Sequence, residues 1–389
     1  MQAPSEKPKF VVATPGRSVC DDNARALHRH GALRFLALGT RRGTAGVPPE
    51  RTRLNPAIGL AAYLGHRLRP GRGEAWSCAL FPWFDRWVRR QLRPGDHVIS
   101  SYGYANECFA FARAHGGRTF LDGGNSHPEN YWQVISEEHA RWGCALPPFP
   151  RSWYERGRAM LAEVDYVLSP SSYVTRSFLE RGFKPEQILR NVYPLDLACF
   201  SPAAGPRPAA RPLTVISTGA PSLRKGTPYL LEAFRLIRRA HPSARLLLTG
   251  PPHPSLAGVM GRFRDLPIEW SPPLPHPQLA ERLRGADVFV LPSLEDGFAR
   301  TVAEALACGL PVVTTPNTGA SDLIQPGVNG EVVPIRDAEA IAGAVLMLAD
   351  RVISRREPPP RMIDPARLSF ENFEHEFIGQ LQSLGLLPP

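Results

Sequence analysis

Residues 286–309 read ADVFVLPSLEDGFARTVAEALACG, and the order of elements in this stretch decides the fold. The run 288–291 (VFVL) is apolar without interruption, the mark of a strand buried on both faces in a parallel sheet. A Pro-Ser turn follows, then an acidic loop containing Gly297, then a stretch of helical spacing that opens near 299–301. The loop at the carboxyl end of a parallel strand is where open α/β sheets bind ligands. A helix start aims free backbone N–H groups at that loop, so an anionic phosphate is its natural guest.

The same alternation extends in both directions. Short apolar runs bounded by Gly, Pro or Asp stand at 10–13, 97–100, 118–121 and 166–168, and again at 213–217, 245–249, 288–291, 311–314 and 331–333. Each is followed by helical spacing, which predicts an α/β chain with two parallel sheets. Between the two sets, 201–212 (SPAAGPRPAARP) suits neither helix nor strand and is the expected linker. The predicted division is 1–200, linker 201–212, 213–365, and a terminal segment 366–389 holding an amphipathic helix at 370–384 with Phe370, Phe373 and Phe377 on its apolar stripe.

A chain of 389 residues, 43% hydrophobic, can build two cores, which excludes disorder as the whole answer. The first ten residues carry no apolar segment and no run reaches the roughly 18 apolar residues of a membrane span, so a cytoplasmic location is expected. The six cysteines lack metal-ligand or CxxC spacing and are expected as reduced thiols, mostly buried. The net charge of +10 is confined to residues 1–100, which hold 17 Lys and Arg against 7 Asp and Glu, while the remainder holds 29 of each. A basic first domain suits a phospholipid headgroup or a polyprenyl diphosphate as well as a polynucleotide, but no nucleic-acid-binding motif accompanies it, and no nucleic-acid partner is expected.

Asp296 and Glu304 stand eight residues apart, one in the loop and one inside the helix. Carboxylates beside a phosphate site would repel it unless aimed at hydroxyl groups, which fits a sugar nucleotide. Spacing alone equally fits a helix-start carboxylate and a solvated helix residue. The segment 217–226 (STGAPSLRKG) supplies a counterweight just after the first strand of the second set. Lys225 is a mobile charge able to neutralise a diphosphate, and Arg224 can grip one in a fork.

Taken in register, 217–234 (STGAPSLRKGTPYLLEAF), 245–250 (RLLLTG), 279–315 (LAERLRGADVFVLPSLEDGFARTVAEALACGLPVVTT) and 318–334 (TGASDLIQPGVNGEVVP) closely resemble the C-terminal domain of the retaining glycosyltransferases of family four. These are the group 1 transferases of GT-B fold. A weaker likeness covers 164–182 and 191–202. The resemblance implies two Rossmann-like domains facing a cleft, the first on the acceptor side and the second binding a nucleotide sugar, with the C-terminal helix returning to the first domain. It implies that Glu304 binds the donor ribose, Lys225 holds the diphosphate, and Asp296 contacts the donor sugar. Gly219 and the backbone of Gly297, Phe298, Ala299, Arg300, Thr301 and Val302 would lie against sugar and phosphate. Three positions depart from the family pattern: Asp296 replaces a Glu, Ala220 an Arg on the diphosphate, and Ala299 a Gly.

In the first half, 122–130 (DGGNSHPEN) follows a strand, and Asp122 or His127 fills the role of a family His that touches the donor sugar. The turn 14–17 (TPGR) offers Gly16 where the family has paired glycines, with Arg17 as a further diphosphate ligand. No DxD-type pair stands at a strand end, so no metal and no cofactor are expected. The segment 81–95 (FPWFDRWVRRQLRPG) places Trp83, Phe84, Trp87 and Val88 on one helical face and Asp85 among arginines on the other. Such a helix either docks on the core, its commoner fate, or makes peripheral contact with an anionic membrane. The expected function is transfer of a hexose-type sugar from a nucleoside-diphosphate sugar to a glycan or lipid-linked acceptor, with retention and without metal. The alternative is a catalytically weak homologue that binds nucleotide sugar.

Overall fold

A computed structural model of the chain describes residues 10–389 except 17, 41–45, 69–72, 147, 207, 209–210 and 356, and for 66, 73–75, 148–150 and 153 the backbone alone. Arg17, residues 1–9 and part of the expected linker therefore lie outside the described residues. The first half holds β1 (Phe10–Thr14), α1 (Cys20–Arg29), β2 (Leu33–Leu38), β3 (Thr52–Leu54), α2 (Pro56–Leu68), α3 (Gly73–Arg89), β4 (His97–Ser101), α4 (Asn106–Ala114), β5 (Thr119–Asp122), α5 (Pro128–Arg141), α6 (Pro148–Leu161), β6 (Tyr166–Ser169), α7 (Ser172–Leu179) and β7 (Ile188–Arg190). The second holds β8 (Thr214–Thr218), α8 (Thr227–Ala240), β9 (Arg245–Thr249), β10 (Ile268–Ser271), α9 (His276–Arg284), β11 (Val288–Leu291), α10 (Arg300–Ala307), β12 (Val312–Thr314), β13 (Gly330–Val332) and α11 (Ala338–Ser354), followed by α12 (Phe370–Ser383).

Both sheets are parallel among the described strands. Their orders are β3-β2-β1-β4-β5-β6-β7 and β10-β9-β8-β11-β12-β13. Burial on both faces follows from the alternation of side chains along each strand. Val11 and Ala13 join a core with Phe84 and Val88 on one side of the first sheet, while Phe10 and Val12 join Leu27 and Phe377 on the other. In the second sheet Val288 and Val290 pack with Phe234, and Phe289 and Leu291 with Val302 and Leu306.

The terminal helix α12 returns to the first domain, as expected. Phe373, Phe377, Ile378 and Leu381 complete the core beneath α1. Gln380 exchanges two hydrogen bonds of 2.8 Å with the backbone of Arg190. Ser369 starts the helix by accepting the Asn372 N–H.

The strands read from the sequence all form, with ends shifted by a residue or so. Four others, β2, β3, β7 and β10, escape it. Three of these are half-exposed edge or near-edge pieces of three or four residues, too short for a period to register, while the Leu- and Ala-rich β2 suits a helix as well as a strand. Helix α11 runs to Ser354, Val352 and Ile353 continuing its apolar spacing. Helix α3 also corrects the expected face of 81–95. Phe81, Phe84 and Val88 are buried, Trp83 is exposed, and Asp85 lies inside. The buried carboxylate is satisfied by the first N–H groups of α4, from Glu107 at 2.8 Å and Cys108 at 3.1 Å. All six cysteines are free, four of them buried.

Candidate active site

Strand order reverses between β1 and β4 in the first sheet and between β8 and β11 in the second, and crevices for ligands open at the carboxyl ends of such switch points. Each switch point carries a glycine turn. A Cβ added to Gly16 after β1, or to Gly219 after β8, would meet nothing within 4 Å. Gly219 has φ +100°, a conformation that L side chains rarely adopt. Ala220 beside it is exposed.

The acidic loop after β11 closes the space between the domains. Gly297 lies so near the first domain that a Cβ there would sit 2.1 Å from the Gly124 carbonyl oxygen. The Ser171 hydroxyl donates to the Gly297 carbonyl at 2.7 Å. Glu295 is fully buried. It accepts the Ser126 N–H of the first domain at 2.9 Å and the Arg224 guanidinium of the second at 3.0 Å. Arg224 also donates to the Glu295 carbonyl at 2.8 Å, so the fork expected on a diphosphate is engaged within the protein. Burial alone would lower the Arg224 guanidinium, but Glu295 and Asp296 outweigh it and hold its pKa well above the usual value.

Asp296 pairs with the Lys225 ammonium and accepts the Ala299 N–H at 3.1 Å. Burial works against its charge, yet Lys225 and Arg224 keep its carboxyl below the ordinary range. Its backbone is fixed on both sides, with its N–H on the Asn317 carbonyl at 3.0 Å and its carbonyl taking the Gly319 N–H at 2.7 Å. Ala299 has φ 58°. A Gly would adopt that conformation freely, whereas Ala pays roughly 1 kcal/mol for it. No side chain caps the start of α10.

Glu304 lies one turn inside α10. Burial raises its carboxyl against the pull of His276 and Arg300. Its Oε2 is buried and has no hydrogen-bond partner in the structure. An orphaned carboxylate oxygen is costly, and hydroxyl donors from a ligand would satisfy it. Thr218 Oγ1 and Ser293 Oγ, at the ends of β8 and β11, are orphaned in the same way.

On the first-domain side Asp122 is fully buried at the end of β5. It accepts the Tyr193 hydroxyl at 2.7 Å and the Cys20 thiol at 3.2 Å. Tyr193 in turn meets Phe298 edge-on, with ring centroids 5.8 Å apart, which ties this wall to the acidic loop. His127 caps α5, its Nδ1 accepting the Glu129 N–H at 3.2 Å, and its ring meets Phe178 edge-on. Burial lowers its pKa to about 4, so the ring is neutral near pH 7. Arg300 lies exposed with its guanidinium over the Tyr193 ring. The structure thus brings together Lys225, Asp296, Gly297 and Ala299, with Tyr193 and Phe298 linking Asp122 to them, and commits His127 to a helix cap. Glu295, Cys20 and Tyr193 were not singled out in the sequence. The Glu-Asp doublet was visible, but nothing local says which carboxylate turns inward.

Two doubly wound parallel sheets meeting at their switch points constitute the GT-B fold. Sucrose-phosphate synthase from Thermosynechococcus elongatus superposes with a TM-score of 0.66 at 19% identity, over 97% of this chain and 99% of its own. Anabaena Alr3699/HepE in complex with UDP and glucose gives a TM-score of 0.62 at 13% identity, over 97% and 100%. Residues 212–351 match the sequence family Glycosyl transferases group 1. A curated relative, D-inositol 3-phosphate glycosyltransferase of Acidothermus cellulolyticus, is 29% identical over 222 residues, 50% of this chain and 49% of that protein. The chain spans about half the length of the curated relatives it matches. The second domain is thus similar to the group 1 glycosyl transferases.

Burial raises Asp122 to about 6 even though hydrogen bonds from Tyr193 and Cys20 favour its charge. Its folded value exceeds the unfolded one of about 3.9. The stability it contributes is therefore full below about pH 4 and is lost as pH rises through about 6. Asn keeps the Tyr193 hydroxyl on its Oδ1, turns its amide NH2 toward the Cys20 sulfur, and does not titrate. Asp122→Asn should flatten the fall of Tm between these pH values relative to the parent, measured by calorimetry; an unchanged slope would contradict the assignment.

Proposed function

We propose that this chain is a retaining glycosyltransferase that moves a hexose-type sugar from a nucleoside-diphosphate sugar to a glycan or lipid-linked acceptor. The observation that carries the reading is Glu304, whose buried, orphaned Oε2 stands inside the helix that opens at the acidic loop. A carboxylate so placed accepts hydroxyl groups of a ribose. Lys225, which the structure pairs with Asp296, meets the diphosphate, and Asp296 turns to a hydroxyl of the sugar. The backbone of Gly219 and of 297–302 borders both.

In this reading the leaving diphosphate is stabilised by the Lys225 ammonium and the uncapped start of α10, so charge neutralisation needs no metal ion. The acceptor hydroxyl attacks from the face the diphosphate leaves, and its proton passes to the departing phosphate oxygen. Net configuration is retained. With His127 serving as a helix cap, the sugar-side role in the first domain falls to Asp122, held by Tyr193. Peripheral contact with an anionic membrane is part of the same reading, since it would bring a lipid-linked acceptor to the first domain.

A second reading, binding of nucleotide sugar without turnover, draws on two features of the site: Ala220 leaves the diphosphate without the family's Arg, and Arg224 is spent on Glu295. Product formation from a panel of nucleotide sugars separates the two.

A nucleotide at 100 times its dissociation constant stabilises the fold by about 2.7 kcal/mol. In thermal shift against nucleoside diphosphates and their sugars, UDP and UDP-glucose included, Glu304→Ala and Lys225→Ala should each abolish the shift, read from each variant's own ligand-free Tm. Variants that shift like the parent would place the donor elsewhere. Ala220→Arg should tighten binding of the diphosphate by about tenfold, equivalent to about 1.4 kcal/mol; unchanged affinity would mean that this side chain does not face the phosphates.

A further inference from the structure

Helix α2 is anomalous for a protein that keeps its apolar surface inside. Its first ten residues (PAIGLAAYLG) carry no charge, yet Gly65 alone is buried among its described side chains. An apolar helix normally belongs in a core or a membrane. Leu60, Tyr63, Leu64 and Leu68 of α2 and Trp83 of α3 are between 42% and 73% exposed. The other large apolar residues exposed among the described ones, such as Leu179, Trp270 and Met347, are scattered singly over distant elements. Apolar side chains exposed together at this spacing along one helix mark an interaction surface.

The two helices form one face. The Trp76 ring of α3 lies on Gly65 of α2, where a Cβ would approach it to 1.8 Å, and its Nε1–H donates to the Ala61 carbonyl at 2.9 Å. The charge around the face is mostly positive. Residues 56–93 contain seven Arg and two acids, Glu74 and Asp85. Asp85 is buried at the start of α4. Arg67, Arg86, Arg89 and Arg90 are exposed. Glu107 on α4, paired with Arg86 at 3.1 Å, is the acid that faces this rim. Apolar side chains with Trp and Tyr, rimmed by Arg, match the headgroup and acyl boundary of an anionic bilayer.

The position of the face relative to the cleft gives it a use. Gly59 near the start of α2 backs onto Gly39, where a Cβ would stand 2.5 Å from the Gly39 carbonyl oxygen, and Gly39 packs on Pro15 in the same manner at 2.6 Å. The start of the helix thus packs, through Gly39 and Pro15, toward the turn that holds Gly16 at the first switch point. We propose that the α2–α3 hairpin is a membrane-docking face that seats the first domain on an anionic phospholipid bilayer and presents a lipid-linked acceptor to the cleft edge at Gly16. The choice of acceptor rests on the glycosyltransferase reading; the docking itself does not.

Flotation with phosphatidylcholine vesicles, alone or mixed with phosphatidylglycerol, tests the docking. The full chain should float with the mixed vesicles, bind the neutral ones far less, and dissociate as salt rises. Leu64→Glu with Leu68→Glu, and separately Arg86→Glu with Arg90→Glu, should each lower the partition by about tenfold or more. All four positions are exposed, so both variants should keep the parent's circular dichroism and its nucleotide-induced thermal shift. A parent that ignores anionic vesicles, or variants that partition like it, would overturn the proposal. So would a dimer, seen by sedimentation, that the leucine changes dissolve while vesicle binding is absent, since the face would then belong to a second copy. A parent that shifts with nucleotide but binds no anionic vesicles sinks this inference alone, and a parent with no nucleotide shift sinks the functional reading instead.

Discussion

The cleft is organised by one buried carboxylate. Glu295 takes a backbone N–H from the first domain and a guanidinium from the second, so it fixes the acidic loop against both walls at once. A buried ion costs several kcal/mol in desolvation and is tolerated because each oxygen is satisfied. Removing its partner would leave that cost unopposed, on the order of 3–5 kcal/mol. With Glu295 turned inward, Asp296 is left facing Lys225, and the chain runs through Gly297 into a helix start that no side chain caps. The chemistry of the site is set by this division between neighbouring acids: one holds the structure, and the other meets a cation.

A second buried carboxylate ties the domains together at the far end of α5. Glu138 accepts the Tyr229 hydroxyl at 2.9 Å, the Trp142 Nε1–H at 3.2 Å and the Arg336 guanidinium at 2.5 Å. Trp142 itself packs into the core of the second domain. With α12 returning to the first sheet, the two halves are joined at the loop, at α5 and at the terminal helix. A cavity of about 580 Å³ lies along a different part of the interdomain seam, between α7 and Asp322. Size alone would favour it as a ligand site. It lies away from both switch points and from the orphaned Glu304, and Asp322 is occupied by the Ser172 N–H at 2.7 Å.

Much of the fold was legible because parallel strands buried on both faces write continuous apolar runs, as in VFVL at 288–291. The edge strands β3, β7 and β10 were not, since three or four residues with half-exposed sides carry no period. At the candidate site, Asp296 and Lys225, which the structure pairs, were legible from their loops after strands and from the family likeness. The partners of Glu295 and Asp122 were not, because Ser126 lies 169 residues from Glu295 and Tyr193 lies 71 from Asp122. Contacts of that range depend on how the domains meet, and nothing local encodes them. The helix at 81–95 gives the same lesson: its amphipathic pattern was real, but the carboxylate on its supposed outer face was needed inside to start α4.

On the proposed function, the donor nucleotide lies between the two turns of the second domain. Hydrogen exchange followed by mass spectrometry, with and without UDP-glucose or whichever nucleotide sugar binds best, tests it most directly. Bound nucleotide should slow exchange in 217–227 and 292–304 together and leave the seam cavity at 169–176 unchanged. Protection confined to the seam, or none at either turn at saturating ligand, would contradict it.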